Sequence, residues 1–252
     1  MPAKRIIPSM LLSKGRLVKG TSFKGHEDAG NPITTARIYN DQMADELSIL
    51  DIDASPNKNN PDLETLYQLS KRCFIPISFG GGINSIEVAA QVIRAGADKV
   101  IVNQAGIDDM TFINSLSTIF GKQAVVFAID FTSTLDGERV LTKSGTEVTS
   151  YSPRELAMLA EKMGAGEIIL TDVEHEGTRK GPNLNVIKEV SIGLKVPLVA
   201  NGGVGNLDDF VNILSETNAS AVSAGRILQF ADNNLIKVRR YIQSKGIHLA
   251  TH

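Results

Sequence analysis

The chain has 252 residues, with 26 lysines and arginines against 28 aspartates and glutamates, for a formal charge of −2. A hydrophobic share of 42% beside 21% charged residues argues against disorder, and the near-neutral balance gives no electrostatic case for a nucleic-acid partner. A single cysteine, Cys73, excludes an internal disulfide framework or a cysteine-cluster metal site, and the longest apolar run, 124–129, falls far short of the roughly 20 residues that a membrane helix needs.

Along the chain, short β-rich runs alternate with longer amphipathic runs, the pattern of repeated βα units on a parallel sheet. Strands are predicted at 5–11, 46–52, 75–79, 99–103, 124–130, 167–172, 198–201 and 221–224, with a helix after each. The helix 153–163 has Ser152 as its cap, Pro153 at its first position and Glu155 completing a capping box. The helix 207–216 starts after Asn206 and repeats Leu207, Phe210, Val211 and Leu214 at helical spacing, which reads as core. The last helix, about 235–245, stops at Gly246. Two segments exceed the allowance of about 31 residues per unit: 15–30 and 131–149 read as insertions at the C-terminal ends of the first and fifth strands. The N-terminus carries no apolar stretch long enough for a signal peptide, so a cytoplasmic protein is expected.

An internal repeat joins these elements. Ile75-Pro76 through Gly81-Gly82 matches Val196-Pro197 through Gly202-Gly203 at an offset of 121, and Glu46 through Asp51 matches Glu167 through Asp172 at the same offset. Val100–Val102 likewise matches Ala221–Ser223. Two half-barrels of about 1–120 and 121–252 would produce this, so a closed (β/α)8 TIM barrel in one domain over 1–252 is predicted.

Glycine turns follow the third and seventh strands, at Gly80-Gly81-Gly82 and Gly202-Gly203. Neither fits a dinucleotide fingerprint, because Ser85 stands at the third position after Gly82. A turn without a Cβ lets an oxyanion approach backbone N–H groups, and the loops after strands 7 and 8 of such barrels commonly form a phosphate site. Gly202, Gly203, Ala224 and Gly225 are the expected groups, with Gly81, Gly82, Asn103 and Gln104 as their counterparts across the mouth. The pair of sites would suit a long bisphosphate; the alternative is that glycine serves the turns alone.

Asp51, Asp130 and Asp172 each close a predicted strand, and Asp53, Glu174 and Glu176 lie just beyond. A carboxylate at a strand end points into the mouth of a barrel, where acid–base chemistry takes place. Asp130 is the first catalytic candidate, with Asp51 and Lys19 beside it. The competing readings are helix caps for the acids, ion pairs with Lys19 or Lys180, and a solvated Lys19. His26, His175, His248 and His252 show no metal-ligand spacing, and neither a metal nor a cofactor is expected. Cys73 is expected as a small packing residue.

Taken together, Arg5-Ile6-Ile7-Pro8, Gly15-Arg16-Leu17-Val18-Lys19-Gly20, Asp45-Glu46-Leu47 with Asp51, Gly80-Gly81-Gly82-Ile83, Gly96-Ala97-Asp98-Lys99-Val100, Phe120-Gly121 with Gln123, Ala128-Ile129-Asp130, Gly164-Ala165-Gly166-Glu167-Ile168 and Gly177-Thr178 resemble the cyclase subunit (HisF) of imidazole glycerol phosphate synthase. The resemblance spans essentially the whole chain. It implies a barrel that takes ammonia from a glutaminase (HisH-like) partner docked at its bottom and uses it on a phosphorylated ligand in histidine synthesis. It also implies that Arg5, Glu46, Lys99 and Glu167 ring the lower opening and gate ammonia, that Asp98 and Gln123 face the glutaminase, and that Glu176 and Gly177 stand on the phosphate side of the mouth.

The sequence departs from this pattern at one catalytic position. The family's two principal acids close the first and fifth strands; the fifth is Asp130, while Leu11 holds the place of the first, with Ser9, Met10, Leu12 and Ser13 around it. Glu174-His175-Glu176-Gly177-Thr178 replaces an Asp-x-Asp-Gly-Thr motif, and Asn201 and Gln104 replace small hydroxyl residues. Leu11 within 5–12, Val18-Lys19 and Phe23-Lys24 resemble a divergent branch associated with glycosyl amidation, which implies ammonia supply to a sugar amidotransferase making surface-polysaccharide precursors. The alternatives are a genuine cyclase, a non-catalytic activator of a glutaminase, and a related aminoimidazole ribotide isomerase.

Overall fold

A computed structural model describes residues 3–229 and 233–251. Its strands in chain order are β1 Arg5–Ser13, β2 Arg16–Thr21, β3 Lys24–Gly30, β4 Leu47–Asp51, β5 Ile77–Gly80, β6 Lys99–Val102, β7 Val125–Thr134, β8 Gly137–Thr142, β9 Glu147–Val148, β10 Glu167–Asp172, β11 Leu198–Asn201 and β12 Ala221–Ala224. Eight of them, β1, β4, β5, β6, β7, β10, β11 and β12, pair in parallel and in that order. β12 returns to β1 through Arg5↔Ala221 to Pro8↔Ala224, closing the (β/α)8 barrel.

Side chains alternate along each strand, so one parity faces the barrel axis and the other faces the helices. Ile7, Ile101, Val126, Ala128, Ile169, Val199 and Ala221 form the inner cluster. Ile6, Met10, Leu47, Ile49, Phe79, Val100, Phe127, Ile129 and Ile168 belong to the larger cluster under the helices. The half-barrel repeat is visible in the paired glycine turns. By facing, however, inward Ile101 corresponds to inward Ser223, one residue off the offset of 121 that holds for the neighbouring strands; the fourth and eighth strands differ by one residue in their approach.

The predicted strands 167–172, 198–201 and 221–224 stand as observed. The first and fifth run longer than predicted, to Ser13 and Thr134, because each continues out of the barrel into an antiparallel hairpin. β1 pairs with β2, which pairs with β3; β7 pairs with β8, which pairs with β9. These are the two insertions. More than eight helices are present among the described residues, because short ones, Ala54–Asn57, Gln104–Asp108 and Arg226–Gln229, sit in the loops at the strand C-terminal ends.

The helix Pro153–Met163 has the full capping box between Ser152 and Glu155 and ends at Gly164. The helix Leu207–Glu216 is capped by Asn206, with Asp209 reciprocating, a second box that the sequence reading did not include. Leu235–Ser244 ends just before Gly246. Cys73 is buried as a packing residue. Replacing Ser152 by Ala removes the acceptor for the Glu155 N–H and is expected to cost about 1 kcal/mol; a urea titration should show a lower midpoint with an unchanged slope.

Candidate functional site

The alternation that builds the core also selects which side chains reach the barrel mouth. Val126 and Ala128 face inward on β7, so Asp130 does too, and on β1 Ile7 sets the same parity for Leu11. Leu11 is half-buried and lies in register with Leu50 on β4 and Val18 on β2. Its neighbours there are aliphatic, and no carboxylate shares its register position.

Asp130 lies in a different environment. Asn103 Nδ2 is 3.3 Å from its Oδ2 and also donates to the Ala128 carbonyl at 2.9 Å. Burial pushes the Asp130 carboxyl up to about 7, against a hydrogen bond from Thr171 that favours the ionised form and with help from the negative charge of Glu176. Thr171, in register with Asp130 on β10, was not singled out in the sequence. It precedes the strand-closing Asp172 by one residue, and the alternation rule alone would have found it.

Lys19 is not a surface lysine. It is 2% exposed and forms an ion pair with Glu176, which is also buried. Gly225 makes this possible, because a Cβ there would lie 2.8 Å from Lys19 Nζ. The pair ties β2 to the loop after β10. Two further bonds strengthen that tie: Ser22 N donates to the Glu176 carbonyl at 2.8 Å, and Ser22 Oγ to the Glu174 carbonyl at 3.1 Å. A Cβ at Gly177 would meet the Gly20 carbonyl oxygen at 2.3 Å. At the hairpin tip Phe23 lies against Gly145 of the β8–β9 turn, so both insertions cross above the mouth.

Asp51 and Asp172 face away from the axis, by the parity of Ile49 and Leu170. Asp51 accepts from the N–H groups of Asp53 (3.1 Å), Ala54 (3.2 Å) and Asp62 (2.9 Å) and shapes its loop. The structure therefore does not bring Asp51 to Asp130. Asp172 accepts from His175 N at 3.2 Å and contacts its Nδ1 at 2.7 Å, which keeps His175 in the loop. Asp53 accepts from Ser13 Oγ at 2.8 Å and Lys14 N at 3.0 Å.

The glycine turns flank the mouth as expected. Gly81 and Gly202 have φ of +108° and +101°, and a Cβ on either would strike the carbonyl oxygen of Asp51 or Asp172, at 2.1 and 2.7 Å. The two halves differ in what their turns already hold. Gly82 N donates to Ser55 Oγ at 2.9 Å, and Gln104 Oε1 accepts from Lys143 N at 2.7 Å and from the Thr142 hydroxyl. Gln104 thus fastens the β8 turn instead of facing the axis. Gly203, Ala224 and Gly225 stand together on the other side, next to the short helix Arg226–Gln229.

At the opposite end of the barrel, four inward charges close a ring. Arg5 pairs with Glu46 at 2.9 Å and with Glu167, and Lys99 pairs with the same two carboxylates at 2.7 Å each. Ser78 Oγ donates to Glu46. Burial by itself would push the Glu167 carboxyl up, but Arg5 and Lys99 hold it below its ordinary value. Asp98 and Gln123 are both exposed on this face, Asp98 accepting from Ile77 N at 2.8 Å. Among the described residues no helix is long and apolar enough to cross a membrane, and no group of three histidine, cysteine or acidic residues is placed to hold a metal ion. His252 lies outside the described residues.

Comparison with known proteins bears on this arrangement. The family model described as "Histidine biosynthesis protein" matches residues 5–233. The imidazole glycerol phosphate synthase subunit HisF of Pelodictyon phaeoclathratiforme is 40% identical over 247 residues, covering 98% of both chains. The subunits of the same name from Chlorobium chlorochromatii and Chloroherpeton thalassium are 39% and 41% identical, again over 247 residues and 98% of each chain.

The raised Asp130 value has a sign that can be measured. In the unfolded chain an aspartate ionises near pH 3.9, whereas in the fold Asp130 keeps its proton to about 7. Between these values the folded state binds more protons, so stability falls as pH rises through the window and levels off above it. Asp130→Asn removes this penalty. In urea titrations its advantage over the native protein should widen between about pH 5 and pH 7 and then stay constant.

Proposed function

The chain belongs to the histidine biosynthesis protein family, among its HisF-type cyclase subunits, and from that premise we propose that its barrel conducts ammonia from a glutaminase partner to the mouth, where imidazole cyclisation is weakened and the nitrogen goes to amidation of a sugar precursor. The observation that carries this reading is Leu11. It faces the axis at the height where the resembled family has an acid, and an aliphatic side chain can neither accept nor donate a proton. Loss of one positioned acid–base group costs about 10²–10⁴ in rate.

The floor supports the conduit half of the proposal. Four ionisable groups at a barrel floor are costly to desolvate, and packed apolar side chains would serve stability as well or better. A ring of alternating charges can open by breaking the contacts of one member, and neutral ammonia needs no counter-charge to cross the apolar layer above it. Asp98 and Gln123 lie on the face where a glutaminase would dock. The sugar acceptor is supported by the segments 5–12, Val18-Lys19 and Phe23-Lys24, and it implies a sugar amidotransferase as a further partner.

For a phosphorylated ligand, the turn of Gly202 and Gly203 with Ala224 and Gly225 is the better of the two sites, because the Gly82 N–H on the other side is already bonded to Ser55. Gly81, Asn103 and Gln104 contribute less there, and Gln104 is held by the β8 turn. An anion bound near Lys19 would compete with Glu176, whose Gly177 neighbour sets the loop against β2.

A second reading, a working cyclase of histidine biosynthesis, is favoured by Glu176, whose charge reaches Asp130 and could join it in proton transfer. One assay separates the two. With excess ammonium salt and the ribulosyl substrate of the histidine pathway, the native protein should turn over at least about 10²-fold more slowly than its Leu11→Asp variant. Equal rates would overturn the proposal and favour the second reading. Asp130→Asn should abolish product formation in either enzyme reading, whereas a protein that only activates a glutaminase would keep its full effect. In the complex with a glutaminase, Lys99→Met opens two of the ring's four ion pairs. It is expected to uncouple glutamine hydrolysis from use of the released nitrogen, read as the ratio of glutamate to aminated product.

A further inference from the structure

The barrel interior changes character at its upper end. Ile7, Val126, Ile169 and Val199 fill it with apolar surface. Directly above, three neighbouring strands place Asp130, Thr171 and Asn201 in one line of register, Asp130↔Thr171 and Thr171↔Asn201. All three face the axis by the parity of Ala128, Ile169 and Val199.

Asn201 donates along this line: its Nδ2 lies 3.3 Å from the Thr171 hydroxyl oxygen. Once Asp130 is ionised, above about 7, its carboxylate draws the single Thr171 hydroxyl proton, which leaves that oxygen to accept from Asn201. Asn201 Oδ1 faces away from Thr171, and it is a buried acceptor with no hydrogen-bond partner in the protein. Native folds provide nearly all such atoms with a partner, so an acceptor left open at a site of this kind calls for a ligand that donates.

We propose that Asn201 Oδ1 is the acceptor that receives ammonia where it leaves the apolar interior, holding one of its N–H groups beside Asp130. The inference rests on the reading of the barrel as an ammonia conduit. Ammonia brings three N–H donors and one lone pair. Along the line, Asp130 already accepts from Thr171 and Asn103, and the Thr171 oxygen both donates and accepts. Asn201 Oδ1 is the buried oxygen on the line that has no partner at all. A carboxamide oxygen cannot donate, so it holds an N–H and leaves the nitrogen lone pair free to attack. A serine or threonine hydroxyl at this position could rotate and cap that lone pair. Asparagine here thus holds a nitrogen nucleophile without masking its lone pair.

The test uses the native protein with ¹⁵N-labelled asparagine. The Asn201 side-chain amide resonance is identified by its loss in Asn201→Ser. Ammonium chloride is then titrated at alkaline pH, against potassium chloride at matched ionic strength. The proposal predicts a saturable shift of the Asn201 amide with ammonium and none with potassium. An unmoved resonance, or equal shifts with both salts, overturns it and assigns Oδ1 to an ordered water. A second measurement follows turnover with ammonium salt in Asn201→Leu, which should raise the KM for ammonia about three- to tenfold, the factor one uncharged hydrogen bond supplies, with the KM for the second substrate unchanged. A raised KM for the second substrate alone would also overturn it. Failure of the conduit reading shows elsewhere: glutamine-derived nitrogen would not reach product in the complex, while direct binding of ammonium at Asn201 from solution would persist.

Discussion

A closed ring of eight strands gives each side chain only two directions, toward the axis or toward the helices. This two-residue alternation is the constraint on which the rest of the molecule depends. It stacks the interior in layers: a charged floor of Arg5, Glu46, Lys99 and Glu167, an apolar middle around Val126 and Ile169, and a mouth with Leu11, Asp130, Thr171 and Asn201. Once Ile7 and Val126 face inward, the chain has no freedom to send Leu11 or Asp130 elsewhere. A slip of one residue in β1 or β7 would turn the mouth side chains into the helix layer and put apolar groups in their place.

The layers give the barrel two chemically different halves at its mouth. Leu11 and Leu50 are in register on the first two barrel strands, whereas Asp130, Thr171 and Asn201 are in register on the fifth, sixth and seventh. The likeness between the two halves survives in the glycine turns and in the loop acids Asp51 and Asp172, which face outward in both. It is lost where ligands would be touched. Leu11 deepens that asymmetry, because an acid there would have given each half one proton-handling group.

Much of the fold was legible because its cues are local. Proline and glycine bracket the β-rich runs, and strands such as Glu167–Asp172 end where the hydrophobic run ends. The lengths of β1 and β7 were not legible, since their outer ends are set by hairpin partners and not by propensity. In the site, Asp130 could be read from its place at a strand end. Asp51 and Asp172 looked equivalent to it, and only the facing of Ile49 and Leu170 shows that they turn away. In the sequence Lys19 is open between an anion partner and a solvated residue, and the fold decides by bringing it to Glu176, 157 positions later. The meaning of Leu11 is not contained in its own surroundings at all; it comes from comparison with the resembled family.

The hairpin extensions of β1 and β7 meet over the mouth, and the buried Lys19–Glu176 pair fastens one of them to the loop after β10. Parting that pair would leave two desolvated charges without partners, so it holds the hairpin and the loop together as one rim. The floor is closed in the same manner, by the pairs of Arg5 and Lys99 with Glu46 and Glu167, so the apolar middle of the barrel lies between two charge-paired ends.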